Sequence, residues 1–223
     1  MRKSNDGTRR RLIAAASELF AERGFHATTA RDIARRARVN LAAGHYHYGS
    51  KKELYLAVLR EQFATVRKEL DRRGGTLPAA EIERLDRAAL EKLLLTRIKV
   101  MLDILIGPPP ALHGALMQRE MTDPSQALPM IVAEFIDPMM RELEQIVAHL
   151  VPGLRRSEVE LCTVSIVSQA IFYRFAMPAI LHGKRWRAYP EGFGTDLARH
   201  IAEFSLGGME SVGSRRSGRP RAR

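Results

Sequence analysis

The sequence predicts an all-α protein, with a three-helix helix-turn-helix domain at its N-terminus and a C-terminal helical domain behind it. Three observations carry that expectation. Apolar residues recur at three- and four-residue spacing along most of the chain, and no alternating run reads as a strand. The aromatic content, 6%, is low for a β-sandwich. The stretch 28–53, TTARDIARRARVNLAAGHYHYGSKKE, reads as two short helices around a tight turn, then an aromatic- and His-rich segment leading into a capped helix.

The elements follow in order. Residues 1–7 are expected to form a disordered basic arm. Over 8–23, Leu12, Ile13, Ala16, Leu19 and Phe20 fall on one helical face, and Gly24 stops the helix. Thr29 caps the next helix, with Asp32 three residues on, and Ile33 and Ala37 face inward. Asn40 caps a helix over 41–48, which Gly49 ends. Ser50 and Glu53 open a helix to about residue 73, with Leu54, Tyr55, Val58, Leu59, Phe63, Val66 and Leu70 on its apolar face. These assignments divide the chain into a helix-turn-helix domain at 8–50, a connecting helix at 51–73 and a C-terminal domain at 74–206, with a boundary at Gly74-Gly75.

Within the C-terminal domain one long helix is expected over 79–106, closed by Gly107 and the three prolines after it. A short helix follows over 112–121. Pro129 enters the first turn of a helix reaching about residue 150, which Pro138 should kink. Ser157 with Glu160 caps a helix to about residue 177, and Thr195 or Asp196 begins the last one, with Leu197, Ile201 and Phe204 on one face. Residues 207–223 lack apolar periodicity and read as a disordered basic tail. The apolar stretch 159–181 is long enough to span a bilayer but contains Glu160, Gln169, Arg174 and Pro178. A buried or dimer-forming helix is the better reading.

The charge is segregated. Residues 1–73 carry 17 Lys/Arg against 8 Asp/Glu, residues 74–208 carry 14 against 16, and residues 209–223 carry 5 against 1. The whole excess of the +11 chain therefore sits at its ends, and at the N-terminal end it coincides with the helix-turn-helix pattern. A polyanion partner follows, because neutralising phosphates releases condensed counterions. The single cysteine, Cys162, allows no intramolecular disulfide and fits a reducing compartment, and no signal-peptide core is present, so a cytoplasmic location is expected.

Reading DNA needs a short rigid helix that fits the major groove, with small or polar side chains at its leading end. Leu41, Ala42 and Ala43 suit close approach and contact with thymine methyls. His45, Tyr46, His47 and Lys51 can bond phosphate oxygens, and Arg31 can reach a base edge or the backbone. Residues 8–58 resemble the N-terminal domain of TetR/AcrR-type transcriptional regulators through LIAAASELFAERGFHATT, RDIARRARV, HYHY and GSKKEL. The segments REMTDPS, FIDPMMREL and SQAIFYRFAMPAIL are similar to the CecR/YbiH-type subgroup. The resemblance implies a homodimer that binds a double-stranded palindromic operator and a small-molecule effector, with Thr29, Arg31, Asn40, Leu41, Ala42, Ala43, His45, Tyr46, His47 and Lys51 contacting DNA. Three positions depart from the pattern. Arg38 stands where glycine is usual in a turn that requires positive φ, Gly44 replaces an apolar anchor, and His45 replaces an aromatic or Asn.

Met101, Met117, Met121, Phe135, Met139, Phe172, Tyr173 and Arg174 are the candidate effector-binding residues, because adaptable methionines and aromatic rings suit an apolar cavity. Arg119 and Glu120 are further candidate polar anchors. The two helices over 157–177 and 195–206, with small Ser165, Ser168 and Ala170, are expected to pair with their mates in a second subunit. His45 and His47 lie two apart on a helix and point to different sides, so no metal is expected, nor any cofactor. The sequence holds no Gly-rich phosphate loop and no nucleophile with a sequence-local base, so no enzymatic activity is expected. A repressor responding to a small, largely apolar molecule is the leading reading. A helical small-molecule sensor with weakened or lost DNA reading is the competing one, conceivable because of Arg38 and Gly44.

Overall fold

The computed structural model describes the backbone of residues 2–107 and 112–217, and the side chains within them except those of residues 2–6, 43–46 and 215–217. The helices run in the order α1 (Arg2–Ala27), α2 (Ala30–Ala37), α3 (Leu41–Tyr48), α4 (Lys51–Arg72), α5 (Ala79–Ile82), α6 (Arg87–Ile106), α7 (Leu112–Thr122), α8 (Leu128–Ile131), a π turn (Val132–Ile136), α9 (Asp137–Leu150), α10 (Arg156–Phe175), α11 (Met177–Lys184) and α12 (Phe193–Ser217). The described residues contain no strand, and the all-α expectation holds. They form two compact units, Met1–Arg67 with Pro108–Phe135, and Lys68–Gly107 with Ile136–Arg223. The division therefore falls inside α4 rather than at Gly74-Gly75, and α7 and α8 group with the N-terminal helices.

In the N-terminal unit the five apolar residues expected on the inner face of α1 are all buried, as are Ile33 and Ala37 of α2. Helical backbone begins at Arg2, so the arm expected to be disordered continues α1. Extending an existing helix adds a hydrogen bond per residue without a new nucleus. Gly24 interrupts α1 at φ 80°, ψ 174°, a conformation glycine adopts without a Cβ penalty. The carbonyls left there find partners. The Thr28 hydroxyl donates to Gly24 O at 2.8 Å and to Leu19 O at 3.2 Å. From α7, the Arg119 guanidinium donates to Ala21 O at 3.0 Å and to Glu22 O. Arg119 is thus a clamp on α1 and not a free anchor for a ligand.

An aromatic cluster fixes α4 in the same unit. The Tyr55 ring meets Phe20 edge-on at 4.6 Å and lies 5.0 Å from Phe25. Further along α4, Phe63 stacks on Phe135 at 4.2 Å and 5°, and the His113 ring meets both edge-on. Burial pushes His113 down to about 4, so the imidazole is neutral at physiological pH. Arg60 holds Glu134 with two hydrogen bonds, 2.8 and 2.9 Å.

The second unit packs α6, α9, α10 and α12 around Leu94, Ile98, Leu102, Ile146, Val147, Ile166, Ala170, Ala198 and Ile201. Four differences from expectation have local causes. The helix expected over 79–106 is two, because Asp86 accepts the Ala89 N–H at 2.8 Å and starts a new helix. The helical run expected to reach about residue 150 is continuous from Leu128 to Leu150, but it carries a π turn, Val132–Ile136, ending two residues before Pro138, whose missing N–H and bulky ring cannot continue regular hydrogen bonding. The α10 start lies at Arg155, where Glu158 accepts the backbone N–H at 2.7 Å, while Glu160 pairs with Arg156 instead of Ser157. Finally, α12 runs on to Ser217 through residues expected to be disordered. Met209, 3% exposed, enters the core, Glu210 pairs with Arg87, and a Cβ on Gly213 would lie 2.9 Å from Val151. The remaining tail, 218–223, and the prolines at 108–110 lie outside the described residues.

No single described helix is long and apolar enough to cross a membrane. α10 and α11 are long and apolar enough only when taken together, and they bend by 62° between them.

Candidate nucleic-acid interface and effector site

The reading unit is built as its sequence suggests. Thr29 is the N-cap of α2. Its Oγ1 accepts the Asp32 N–H at 3.1 Å and donates to Asp32 Oδ2 at 2.6 Å, and the same carboxylate oxygen accepts the Thr29 N–H at 3.3 Å. The Thr29 hydrogen bond holds the Asp32 carboxyl below the usual carboxylate range. Arg36 locks α2 on α1 by pairing with Glu18 at 2.8 Å and Glu22 at 3.5 Å. Arg38 then ends α2 in the left-handed conformation, φ 55°, ψ 47°, with its N–H bonded to the α2 carbonyls. The departure noted at Arg38 is accommodated as backbone strain, and its side chain is exposed.

After that turn α3 spans Leu41–Tyr48 and its helical backbone passes through Gly44. Asn40, Leu41 and Ala42 are exposed at its leading end. The side chains of Ala43, His45 and Tyr46 lie outside the described residues. His47 is half-buried, with its ring 6.5 Å from Tyr48. Tyr48 turns toward α1, where its hydroxyl accepts from Arg9 Nε at 3.2 Å. Gly49, at φ 68°, closes α3, and the Ser50 hydroxyl accepts the Glu53 N–H at 3.1 Å to open α4.

Two of the basic side chains named as DNA contacts part company. Arg31 is exposed and makes no ion pair with another described residue. Lys51 donates from Nζ to Phe25 O at 2.9 Å and sits 4.2 Å over the Phe25 ring, and burial lowers its pKa. Its ammonium pins α4 to the end of α1 with one of its three donors. Lys52 and Arg38 are exposed cations that the sequence reading did not name as contacts. The pairing of Lys51 with a carbonyl 26 residues away has no signature in the sequence.

The candidate effector residues divide between the units. In the N-terminal unit Met117 and Phe135 are half-buried, while Met121 is exposed. Glu120 is buried at 2% exposure and accepts the Tyr55 hydroxyl at 2.6 Å and the Ser125 N–H at 3.2 Å, which commits it to the fold. In the second unit Met101, Met139, Tyr173 and Arg174 are half-buried. Phe172 is exposed at the surface of α10 and lines no interior. Cys162 is half-buried, and burial pushes its thiol up.

α10 carries a face of uncovered apolar side chains, and α12 carries a further uncovered ring. Leu161, Val164, Ile171, Phe172 and Phe175 are exposed on α10, and Phe204 is 66% exposed on α12. Ser165 and Ser168 share that exposed face, whereas Ala170 is buried in the core and does not contribute to it.

Comparisons with known proteins agree with this architecture. Residues 12–58 match the family of bacterial regulatory proteins of the tetR type, and residues 87–209 match the C-terminal domain of the HTH-type transcriptional dual regulator CecR. The dual regulator CecR of Shigella flexneri is 29% identical over 191 residues, 82% of each chain. Among solved structures, the regulator FadR of Bacillus subtilis in complex with stearoyl-CoA has a TM-score of 0.63 at 14% identity, covering 89% of this chain and 97% of that one. AibR in complex with isovaleryl coenzyme A and operator DNA has a TM-score of 0.60 at 13% identity, covering 90% and 96%.

Proposed function

The chain belongs to the TetR family of transcriptional regulators and carries a CecR-type C-terminal domain, and we propose that it is a repressor that binds a palindromic operator as a homodimer and responds to a small, largely apolar molecule. The observation that carries this reading is the assembled N-terminal unit. Capped α2, the strained turn at Arg38 and α3 form a short rigid reader beside exposed Arg31, Arg38 and Lys52. We assign base and groove contacts to Arg31, Asn40, Leu41, Ala42, Ala43, His45, Tyr46 and His47. Thr29 supports them as a cap and Lys51 as a pin on Phe25.

The exposed apolar face of α10 and α12 supports the dimer. Its side chains lose contact with water only against another surface, and at 25 cal/mol per Å² an uncovered face of several large side chains is a standing cost of several kcal/mol. The half-buried Met101, Met139, Tyr173 and Arg174 support an effector site in the second unit, and the acyl-CoA complexes of the two fold relatives are compatible with an apolar ligand. An effector that binds one arrangement of the dimer more tightly shifts the distance between the two reading helices and so changes operator affinity. The activity proposed is binding without catalysis, in the cytoplasm.

The test is an electrophoretic shift of DNA from upstream of the protein's own gene. A saturable shift competed by the same unlabelled duplex, and not by an unrelated one, is expected. Binding that is indifferent to sequence would leave the helical sensor with lost DNA reading as the better account.

A further inference from the structure

Three arginines in the described part of the chain are buried or half-buried, and two of them are neutralised. Arg73 pairs with Glu69 and Asp103, and Arg97 pairs with Glu142. The third, Arg174, stands in the last turn of α10; its side chain makes no ion pair or hydrogen bond with a described residue, and its Nε is buried without a partner. Burial lowers its pKa, so the site disfavours the charge that the guanidinium nevertheless carries.

The surroundings are aromatic and ordered. The Tyr189 hydroxyl donates to Tyr173 O at 2.7 Å, which fastens the segment after α11 back onto α10. Tyr189 stacks on Phe193 at 4.8 Å and 3°, Trp186 meets Phe193 edge-on at 5.7 Å, and Tyr173 lies 5.9 Å from it. Tyr189 is close enough to Arg174 that their ionisations influence one another. A partly buried cation with an unpaired Nε, close to Tyr189 and the ring cluster Tyr189 belongs to, is costly as a structural element. It fits a ligand that brings its own negative charge.

We infer that the effector is an organic oxyanion on an apolar body, with its carboxylate or phosphate received by Arg174 and its apolar part lying toward Tyr173, Trp186 and Phe193. The guanidinium fork matches either anion in a two-point contact, whereas a neutral head group would leave the charge uncompensated. The inference rests on the effector-binding reading above and adds the ligand's charge and the residue that recognises it.

Trp186 is the sole tryptophan of the chain and belongs to this cluster, so its emission reports on the site directly. The experiment titrates the full chain with decanoate, decyl phosphate and 1-decanol, each below its micelle or solubility limit. At least one of the anions is expected to shift Trp186 emission saturably and to bind about tenfold or more tightly than decanol. The tighter anion identifies the head group as carboxylate or phosphate. Arg174→Met should abolish the preference for the anion, and Arg174→Lys, which keeps charge but loses the fork, should retain part of it. Ligand-free Arg174→Met should melt no lower than the wild type, since the guanidinium makes no bond to lose. Equal affinity for decanol and the anions, an anion preference untouched by Arg174→Met, or no saturable response to either anion would overturn the inference. The readout uses no DNA, so a failure of operator binding counts against the regulator reading alone.

Discussion

Tyr55 donates its phenolic hydrogen to the Glu120 carboxylate across 2.6 Å, joining α4 to α7 inside the N-terminal unit. The acid is 2% exposed, and its second oxygen takes the Ser125 N–H. Tyr55→Phe therefore leaves a buried carboxylate short of a donor and should destabilise the protein by about 1–3 kcal/mol in urea unfolding. Burial and Glu120 raise the Tyr55 pKa, so the folded state resists ionisation more than the unfolded chain does. The associated stability is complete below about pH 10 and declines as pH rises from there toward the raised folded value. Tyr55→Phe should flatten that alkaline decline.

His113 gives the opposite limb. Its folded value of about 4 lies below that of an unfolded histidine, about 6.5, because it is buried, edge-on against the stacked Phe63 and Phe135 rings. Stability from the neutral imidazole is complete above about pH 6.5 and is lost as pH falls toward 4. His113→Phe should lose that part of the acid sensitivity, seen as a flatter dependence of the melting temperature on pH between 6.5 and 4.

Arg38 holds a left-handed backbone, φ 55°, with its side chain in solvent. The conformation costs a residue with a Cβ about 1 kcal/mol that glycine avoids. Arg38→Gly should raise the unfolding free energy by up to about that amount while weakening DNA binding, because an exposed cation next to α3 is lost. Denaturation and anisotropy titrations at one salt concentration separate the two effects.

Phe175 and Phe204 are 62% and 66% exposed in the single chain. If they meet a second subunit, Phe204→Glu buries a charge in an apolar interface and should give a monomer by analytical ultracentrifugation at micromolar concentration, with its helical content unchanged.

Much of the fold is legible in the sequence because it follows from local rules. The faces of α1 and α4, the Thr29–Asp32 cap and the break at Gly24 each depend on residues within a few positions of one another. The positive φ of Arg38 is legible too, since the turn demands it of whatever residue stands there. What stays hidden depends on distant partners. Residues 207–217 have weak helix propensity, and α12 holds them only because Met209 finds the core and Glu210 finds Arg87. Asp86 is a local exception, since its carboxylate takes the Ala89 N–H three residues on, but it lies within an apolar-rich stretch that reads as one continuous helix. In the candidate site, Lys51 reads as a phosphate ligand by type and place, yet its ammonium is held by Phe25. Arg119 and Glu120 read as ligand anchors, yet both serve the packing of α7 on α1 and α4.

Operator reading is tested by selecting bound duplexes from a random double-stranded DNA pool with the full-length protein and measuring the affinity of the enriched sequence across salt. A regulator with two α3 reading helices should enrich a palindrome whose half-sites lie about 34–36 Å apart, or a near multiple, and its affinity should fall steeply as salt rises. A pool that stays random after repeated selection, with only weak salt-sensitive binding to any duplex, would contradict it.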